Sequence, residues 1–404
     1  MQDFFSSVAD WLLERSLSDA ELSDTVESLG KRLVNGGVPV NRIAIGRSML
    51  HPVIGLITLT WDLEKGRVDW DVIPRNRVAA RSREKTPFAE LMLQRTRDEV
   101  VADLSDPGDC AQYPLFEQLA ESGVTGYAGF AKTFGDNTAI RENDVKFGLG
   151  AAVSFSTRSF GGFSPDILNG LRHLLTPLMV CVRLETEKIL AATLLDSYLG
   201  RLSGRRVLTG QTARGDGNRI DCALFFSDLA SSLPLSCELE ERAYLQTLND
   251  YFDCTAGAVL DHGGEVLKFV GDGVLAIFPF EQTTRPAQNM CMAALSAARE
   301  SFARATQLNT ARVRDNKPII EFGVALHAGQ VLYGNVGTEK RLDFTATGQA
   351  VGLLTRCEAL TRDLESKILA TDEFVHHHPE SSGAIGAFEL KGYSKPVELH
   401  QFPV

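Results

Sequence analysis

Two short segments constrain this chain more than any others: Phe225-Phe226-Ser227-Asp228-Leu229 and Lys268-Phe269-Val270-Gly271-Asp272-Gly273. Each sets a carboxylate where an apolar strand runs into a turn, and the two Asp lie 44 positions apart. Between them Leu245, Leu248, Phe252, Ala256 and Val259 recur at helical spacing, closed by His262-Gly263-Gly264. A strand, a helix and a β-hairpin in that order bring the two strand ends side by side. Carboxylates at adjacent strand ends suit a pair of hard divalent cations gripping a polyphosphate. A nucleotide-processing enzyme is the reading this favours.

At 404 residues the chain has room for two domains, and its 44% hydrophobic and 23% charged residues are those of a soluble globular protein. A net charge of −11 argues against broad nucleic-acid binding or a polybasic membrane patch. Met1-Gln2-Asp3-Phe4-Phe5 lacks the basic and apolar regions of a signal peptide, and the apolar stretch from Leu174 to Val182 is too short to span a bilayer. The seven cysteines are scattered without CxxC spacing, so a zinc site or disulfide framework is not expected. These features predict a cytoplasmic protein with no transmembrane segment and reduced thiols.

Along the chain, helical period over about 5–34 is followed by strand-like runs at 42–48, 53–61 and 67–73. Helices are expected at 87–96 and 115–121, and strands at 126–132 and 146–156. Ser164-Pro165 then provides an N-cap and N1 residue for a helix carrying Leu168, Leu171, Leu175 and Met179 on one face. This order, with the Gly161-Gly162-Phe163-Ser164 turn, resembles a GAF-type sensory domain over roughly residues 30–183. The resemblance implies a regulatory role and a possible small-molecule ligand. A helix over 184–199 is the natural lever between the halves, Gly200–Gly204 ends it, and 210–217 reads as a polar connector.

The second half reads as strand, helix, hairpin, helix (286–307), a hairpin of 319–327 and 331–333 about the turn Ala328-Gly329-Gln330, helix (350–361) and short strands. Six elements in register, from Phe226-Ser227-Asp228-Leu229 through Leu248–Phe252, Lys268–Gly273, Leu326-His327-Ala328-Gly329 and Arg341–Gly348 to Val351–Arg356, resemble the class III adenylyl/guanylyl cyclase catalytic domain over about 218–402. The expected fold is α+β: a GAF-like antiparallel sheet with helices over 1–183, a helical transducer over 184–217, and a ferredoxin-like cyclase domain over 218–404.

By that resemblance Asp228 and Asp272 hold two Mg²⁺ or Mn²⁺ ions per site. Lys268 and Thr345 read the purine as adenine, since a Lys can donate to N1 and a Thr hydroxyl can accept from the N6 amino group. Arg356 stabilises charge on the α-phosphate, and Lys391 is a candidate for the terminal phosphate. Leu229, Ser231 and Ser232 lie in the loop whose backbone amides approach the phosphates. The family's active sites form across a homodimer, which would draw Asp228 and Asp272 from one chain and Lys268, Thr345 and Arg356 from the other. ATP is the expected substrate, with cyclic AMP and pyrophosphate as products.

Three departures set this chain apart. Gly352 stands where the family has the Asn that orients the ribose. Ala230-Ser231-Ser232-Leu233 replaces Arg-Gly-Phe-Thr, so the phosphate loop is expected to sit differently without its glycine. Gly323 stands where many relatives carry Arg. An impaired nucleotide-binding signalling module is therefore an alternative, and a guanylyl cyclase a second one that Lys268 opposes. His376-His377-His378 reads as an exposed loop and His51 as a satisfied sheet-edge residue, neither as a metal or haem ligand.

Overall fold

The computed structural model describes the chain except residues 50, 52, 82, 95, 135–138, 143, 144, 149, 282 and 381. It divides into two compact units, Met1–Leu194 and Leu195–Val404. No helix among the described residues is long and apolar enough to cross a membrane. All seven cysteines are free.

In the first unit, six antiparallel strands form one sheet: β1 (Arg42–Ser48), β2 (Ile54–Asp62), β3 (Arg67–Pro74), β4 (Glu99–Asp103), β5 (Gly126–Thr133) and β6 (Gly150–Thr157), in spatial order β3-β2-β1-β6-β5-β4. Period-2 alternation gives the sheet two different faces. Ile43, Ile45, Leu59, Trp61, Phe130, Val153 and Phe155 project to one side and join the apolar faces of α1 (Gln2–Ser16), α2 (Leu22–Asn35) and α3 (Pro165–Leu199) in a single core. The helix α3 starts where the Ser-Pro signal places it, with Ser164 Oγ accepting from the Ile167 N–H at 3.4 Å. His51 is committed as a turn acceptor: its Nδ1 receives the Val53 and Ile54 N–H groups at 2.9 and 2.8 Å.

Early in the second unit Gly200 separates two helices. After Gly200 (φ +86), within the stretch expected as a helical transducer, α4 (Arg201–Leu208) forms as a separate helix. It is held by the buried Glu265 carboxylate, which accepts the Leu202 and Ser203 N–H groups at 2.8 and 3.3 Å. A carboxylate against the first free amides of a helix satisfies donors that the helix cannot.

The strands β7 (Gly217–Leu229), β8 (Glu265–Val270), β9 (Gly273–Pro279) and β10 (Phe322–Thr338) lie in the order β8-β9-β7-β10, continued by β12 (Ile368–Thr371), with β11 (Arg341–Thr347) paired to β10. With α6 (Glu241–Asp261) between β7 and β8 and α7 (Ala287–Arg314) between β9 and β10, this is the βαββαβ order of a ferredoxin-like core. The helices α6 and α7 cover one face. The other carries α8 (Gln349–Asp363). The hairpin expected about Ala328-Gly329-Gln330 is absent. β10 runs through those residues, because Phe322–Gly334 pairs without interruption against Leu229–Gly217, Gly329 opposite Cys222. The actual reversal comes at Glu339-Lys340, between β10 and β11.

The candidate active site

Asp228 is the penultimate residue of β7, paired across the sheet with Gly273, the first residue of β9. Gly271 (φ +64) makes the turn between β8 and β9 and leaves Asp272 one residue before that pair. A side chain at 273 would crowd this pair: a Cβ there would stand 3.0 Å from the Phe226 ring and 3.2 Å from Asp228 Oδ1, so both would have to give way. The two carboxylates feel one another. Burial, and next the negative charge of Asp272, push the Asp228 carboxyl above its ordinary range, against the opposing pull of Arg362. Carboxylates held close in a half-buried position are the donor set a hard divalent cation relieves of repulsion, so the residues present fit such an ion.

A third carboxylate completes this corner. Glu358 on α8 is buried. Burial, then the charge of Asp228, raise it to about 7. Glu358 Oε1 lies over Gly323, where a Cβ would meet it at 2.9 Å and Thr361 Oγ1 at 2.1 Å. Gly323 is thus the residue that lets α8 settle against β10. Arg362, one turn beyond Glu358, reaches back with its Nη2 3.8 Å from Asp228 Oδ2 and 3.4 Å from the Leu229 carbonyl, to which it donates. Sequence reading passed over Glu358 and Arg362. Their i, i+4 spacing on α8 was the available signal.

The raised Glu358 has a measurable consequence. Between its ordinary value of 4.5 and about 7 the folded protein keeps a proton that the unfolded chain has released. Stability from this group is therefore complete below pH 4.5 and is lost as pH rises to about 7. Glu358→Gln removes the effect. In metal-free denaturant unfolding, the variant should gain on the parent from near zero at the acid end to about 3 kcal/mol above the window. A difference independent of pH would contradict the assignment.

The loop after β7 turns at a residue in a backbone region that glycine enters freely. Ser231 takes φ 60, ψ 27, a left-handed conformation unusual for a residue with a side chain, and starts α5 (Ser232–Glu238). Leu229 is buried ahead of the turn, while Ser231 is exposed and Ser232 partly so. Ser231→Gly should relieve strain and raise unfolding free energy by about 0.5–1 kcal/mol, read by thermal or urea denaturation; a loss of stability would argue against strain at this turn.

Lys268 points from β8 to β11, with Nζ 3.5 Å from Asp343 Oδ2. Thr345, two positions on and on the same face of β11, is buried. The structure therefore gathers Lys268, Asp343 and Thr345 at one edge. Asp343 went unremarked in the sequence because a lone exposed Asp in a strand carries no pattern.

Arg356 stands elsewhere. Its Nη1 donates to the Gly352 carbonyl at 2.9 Å, its guanidinium lies 6.0 Å from the Tyr393 ring, and the Tyr393 hydroxyl donates to the Gln349 carbonyl at 2.5 Å. A Cβ on Gly392 (φ +92) would stand 4.0 Å from Arg356 Nη2, which puts exposed Lys391 in the same neighbourhood. Two residues on a helix differ by about 200° in direction. Arg356 and Glu358 accordingly face opposite ways from α8, and within one chain Arg356 is turned away from the Asp228–Asp272 corner.

Among the described residues the one His/Cys/Asp/Glu group with metal-ligand spacing is Asp372, Glu398 and His400. The three adjacent histidines do not converge: His376 Nδ1 binds the Asp372 carbonyl at 2.8 Å, and His378 Nδ1 accepts from the Glu380 N–H at 3.2 Å.

No family model matches the chain. It is 29% identical over 199 residues to the terminal-differentiation-specific adenylate cyclase of Dictyostelium discoideum, covering 46% of this chain and 9% of that protein. It is 29% identical over 178 residues to an adenylate cyclase of Anabaena cylindrica, covering 44% and 34%. The crystal structure of the adenylyl cyclase CyaB from P. aeruginosa aligns at 29% identity with a TM-score of 0.40, over 46% of this chain and 95% of that one. The chain spans about a third or less of these two curated relatives. The paired Asp, the Lys–Asp–Thr edge and the cyclase motifs in register, together with the two curated relatives, support a class III adenylyl/guanylyl cyclase catalytic domain in the second half of this chain.

Proposed function

We propose that the protein is an adenylyl cyclase that converts ATP to 3′,5′-cyclic AMP and pyrophosphate at sites formed by a homodimer. The observation that carries this is the division of labour about α8: the Asp228–Asp272 corner and Arg356 are complementary parts of one chemistry, yet they face away from each other in one chain. A second copy related by two-fold symmetry supplies the missing half of each site.

Asp228 and Asp272 would hold Mg²⁺ or Mn²⁺, two ions per site. Bound there, the metal supplies Lewis acidity that lowers the pKa of the ribose 3′-hydroxyl and neutralises the triphosphate. The ribose 3′-oxygen forms a bond to the α-phosphorus as the bond to the β-phosphate bridging oxygen breaks, and pyrophosphate leaves with that electron pair. Arg356 of the opposite protomer donates to the α-phosphate oxygens as charge builds. Lys391 meets the terminal phosphate, and the amides after Leu229, at Ser231 and Ser232, approach the chain of phosphates. Lys268 and Thr345 read the adenine edge, with Asp343 orienting the Lys268 ammonium.

Gly352 specifically favours a second reading, a nucleotide-binding module with weak turnover, because it removes a ribose-orienting donor. For regulation, the six-stranded antiparallel sheet supports the GAF-like assignment, and α3 and α4 supply a helical connection from Pro165 to Leu208.

The test is nucleotide selectivity. Purified protein should form cyclic AMP from ATP with a kcat/KM well above that for GTP. Lys268→Ala should lower the ATP value by about tenfold or more through loss of a charged hydrogen bond. Preference for GTP, or no effect of Lys268→Ala, would overturn the adenine assignment.

A further inference from the structure

Two further strands, β13 (Gly383–Phe388) and β14 (Val397–Gln401), extend the second sheet in the order β12-β14-β13. β14 runs antiparallel to β12, with Ala370 opposite His400 and Thr371 opposite Leu399. Glu398 and His400 are two positions apart, so they share one face of β14. Asp372 follows Thr371 directly and stands at the level of Glu398. This register brings three donors together: one carboxylate oxygen each from Asp372 and Glu398 and one ring nitrogen of His400 all lie within 4.8 Å of one another.

Two details separate this group from an ordinary ion pair. His400 Nδ1 is engaged with the Ser382 hydroxyl at 2.9 Å, which leaves Nε2 to face the carboxylates. Nε2 is shut off from solvent, and among the described residues it makes no hydrogen bond. It lies 3.4 Å from Asp372 Oδ1. That is longer than a well-made N–H···O bond of about 2.7–3.2 Å. It matches the spacing of about 3.4 Å between two ligand atoms that each bind one Zn²⁺ at about 2.0–2.1 Å in tetrahedral geometry. The other Asp372 oxygen, Oδ2, lies 3.3 Å from His376 Nδ1. Asp372 and His400 thus each turn one atom inward while the other is supported from behind, as metal ligands are. Asp372 and Glu398 also line a cleft of about 570 Å³, which gives an ion a way in from solvent.

We propose that Asp372, Glu398 and His400 form a binding site for one Zn²⁺, separate from the Asp228–Asp272 pair. An imidazole nitrogen in the donor set favours Zn²⁺ over Mg²⁺, which takes oxygen ligands. Three protein ligands leave the fourth tetrahedral position to a water from the cleft. The ion ties β14 to the residue that ends β12, just after the 389–396 segment that carries Lys391 and Tyr393. No cysteine takes part, so the cysteine spacing held no sign of the site.

The experiment is calorimetric titration of the full-length, chelator-treated protein with Zn²⁺ in excess Mg²⁺, which keeps the Asp228–Asp272 pair supplied with Mg²⁺. The parent should bind one Zn²⁺ per chain and melt at a higher temperature with it. Glu398→Gln, at an exposed position, and His400→Gln should each lose about tenfold or more in Zn²⁺ affinity. Ser382→Ala should lose about tenfold, since it frees the imidazole to turn. Asp272→Ala should bind this Zn²⁺ undiminished. No uptake of Zn²⁺ against Mg²⁺, its loss in Asp272→Ala, or full affinity in folded Glu398→Gln and His400→Gln proteins would overturn the proposal. Binding is read without turnover, so failure here is separate from failure of the cyclase reading.

Discussion

Mixed in equal amounts under conditions that exchange subunits, the inactive Asp272→Ala and Arg356→Ala variants should recover about a quarter of the parental cyclase rate. Each variant alone destroys both sites of its own dimer. Loss of Arg356 removes a donor aimed at developing charge, which costs roughly a hundredfold to a thousandfold. Loss of Asp272 removes a ligand whose cation is worth several kcal/mol, a comparable or larger factor. In the mixed dimer one site receives both defects and the other receives neither. Half of the dimers are mixed and half of their sites are intact, hence about a quarter. The expectation follows from the opposed directions of Arg356 and Glu358 on α8. Two defective proteins that stay inactive together, while a crosslink shows mixed dimers, would mean that the residues act within one chain.

Gly352→Asn should raise kcat by roughly tenfold to a thousandfold, the worth of one well-placed donor in a transition state. The site has room for its Cβ. A Cβ at 352 would stand 3.4 Å from the Tyr393 hydroxyl and 3.6 Å from Arg356 Nη1, both ordinary contacts. Replacing a glycine inside α8 also favours the helix by about 0.5 kcal/mol, so a rise in melting temperature alone is not the effect sought. The readout is kcat at saturating ATP against the change in KM: a transition-state contact moves kcat, and uniform binding moves KM. An unchanged kcat in a folded variant would show that Gly352 is not what sets the rate.

The parts of the fold visible in the sequence are those fixed by local chemistry. Strand alternation, the Ser164-Pro165 start of α3 and the glycines flanking Asp272 each specify a backbone conformation within a few residues. The Asp228–Asp272 pair was legible for the same reason, since a strand, a helix and a hairpin leave little choice of where the second Asp falls.

What stayed hidden depends on distant partners. Ala328-Gly329-Gln330 has turn composition, yet thirteen registered pairs with β7 carry the strand straight through it. Arg201–Leu208 became helical because Glu265, far along the chain, satisfies its first amides. Ser231 holds a glycine's conformation with no residue-level sign of it. Glu358 looked like one more acidic residue on a helix, and only its burial beside Asp228 and over Gly323 gives it a raised pKa.

The most direct measurement is cyclic nucleotide formation by the purified protein with ATP and Mg²⁺ or Mn²⁺, beside Asp272→Ala under the same conditions. Cyclic AMP and pyrophosphate in equal amounts, abolished by chelation and by the substitution, is the expected result. ATP binding without product under either metal, or product that Asp272→Ala leaves undiminished, would contradict a metal-dependent adenylyl cyclase built on this pair of carboxylates.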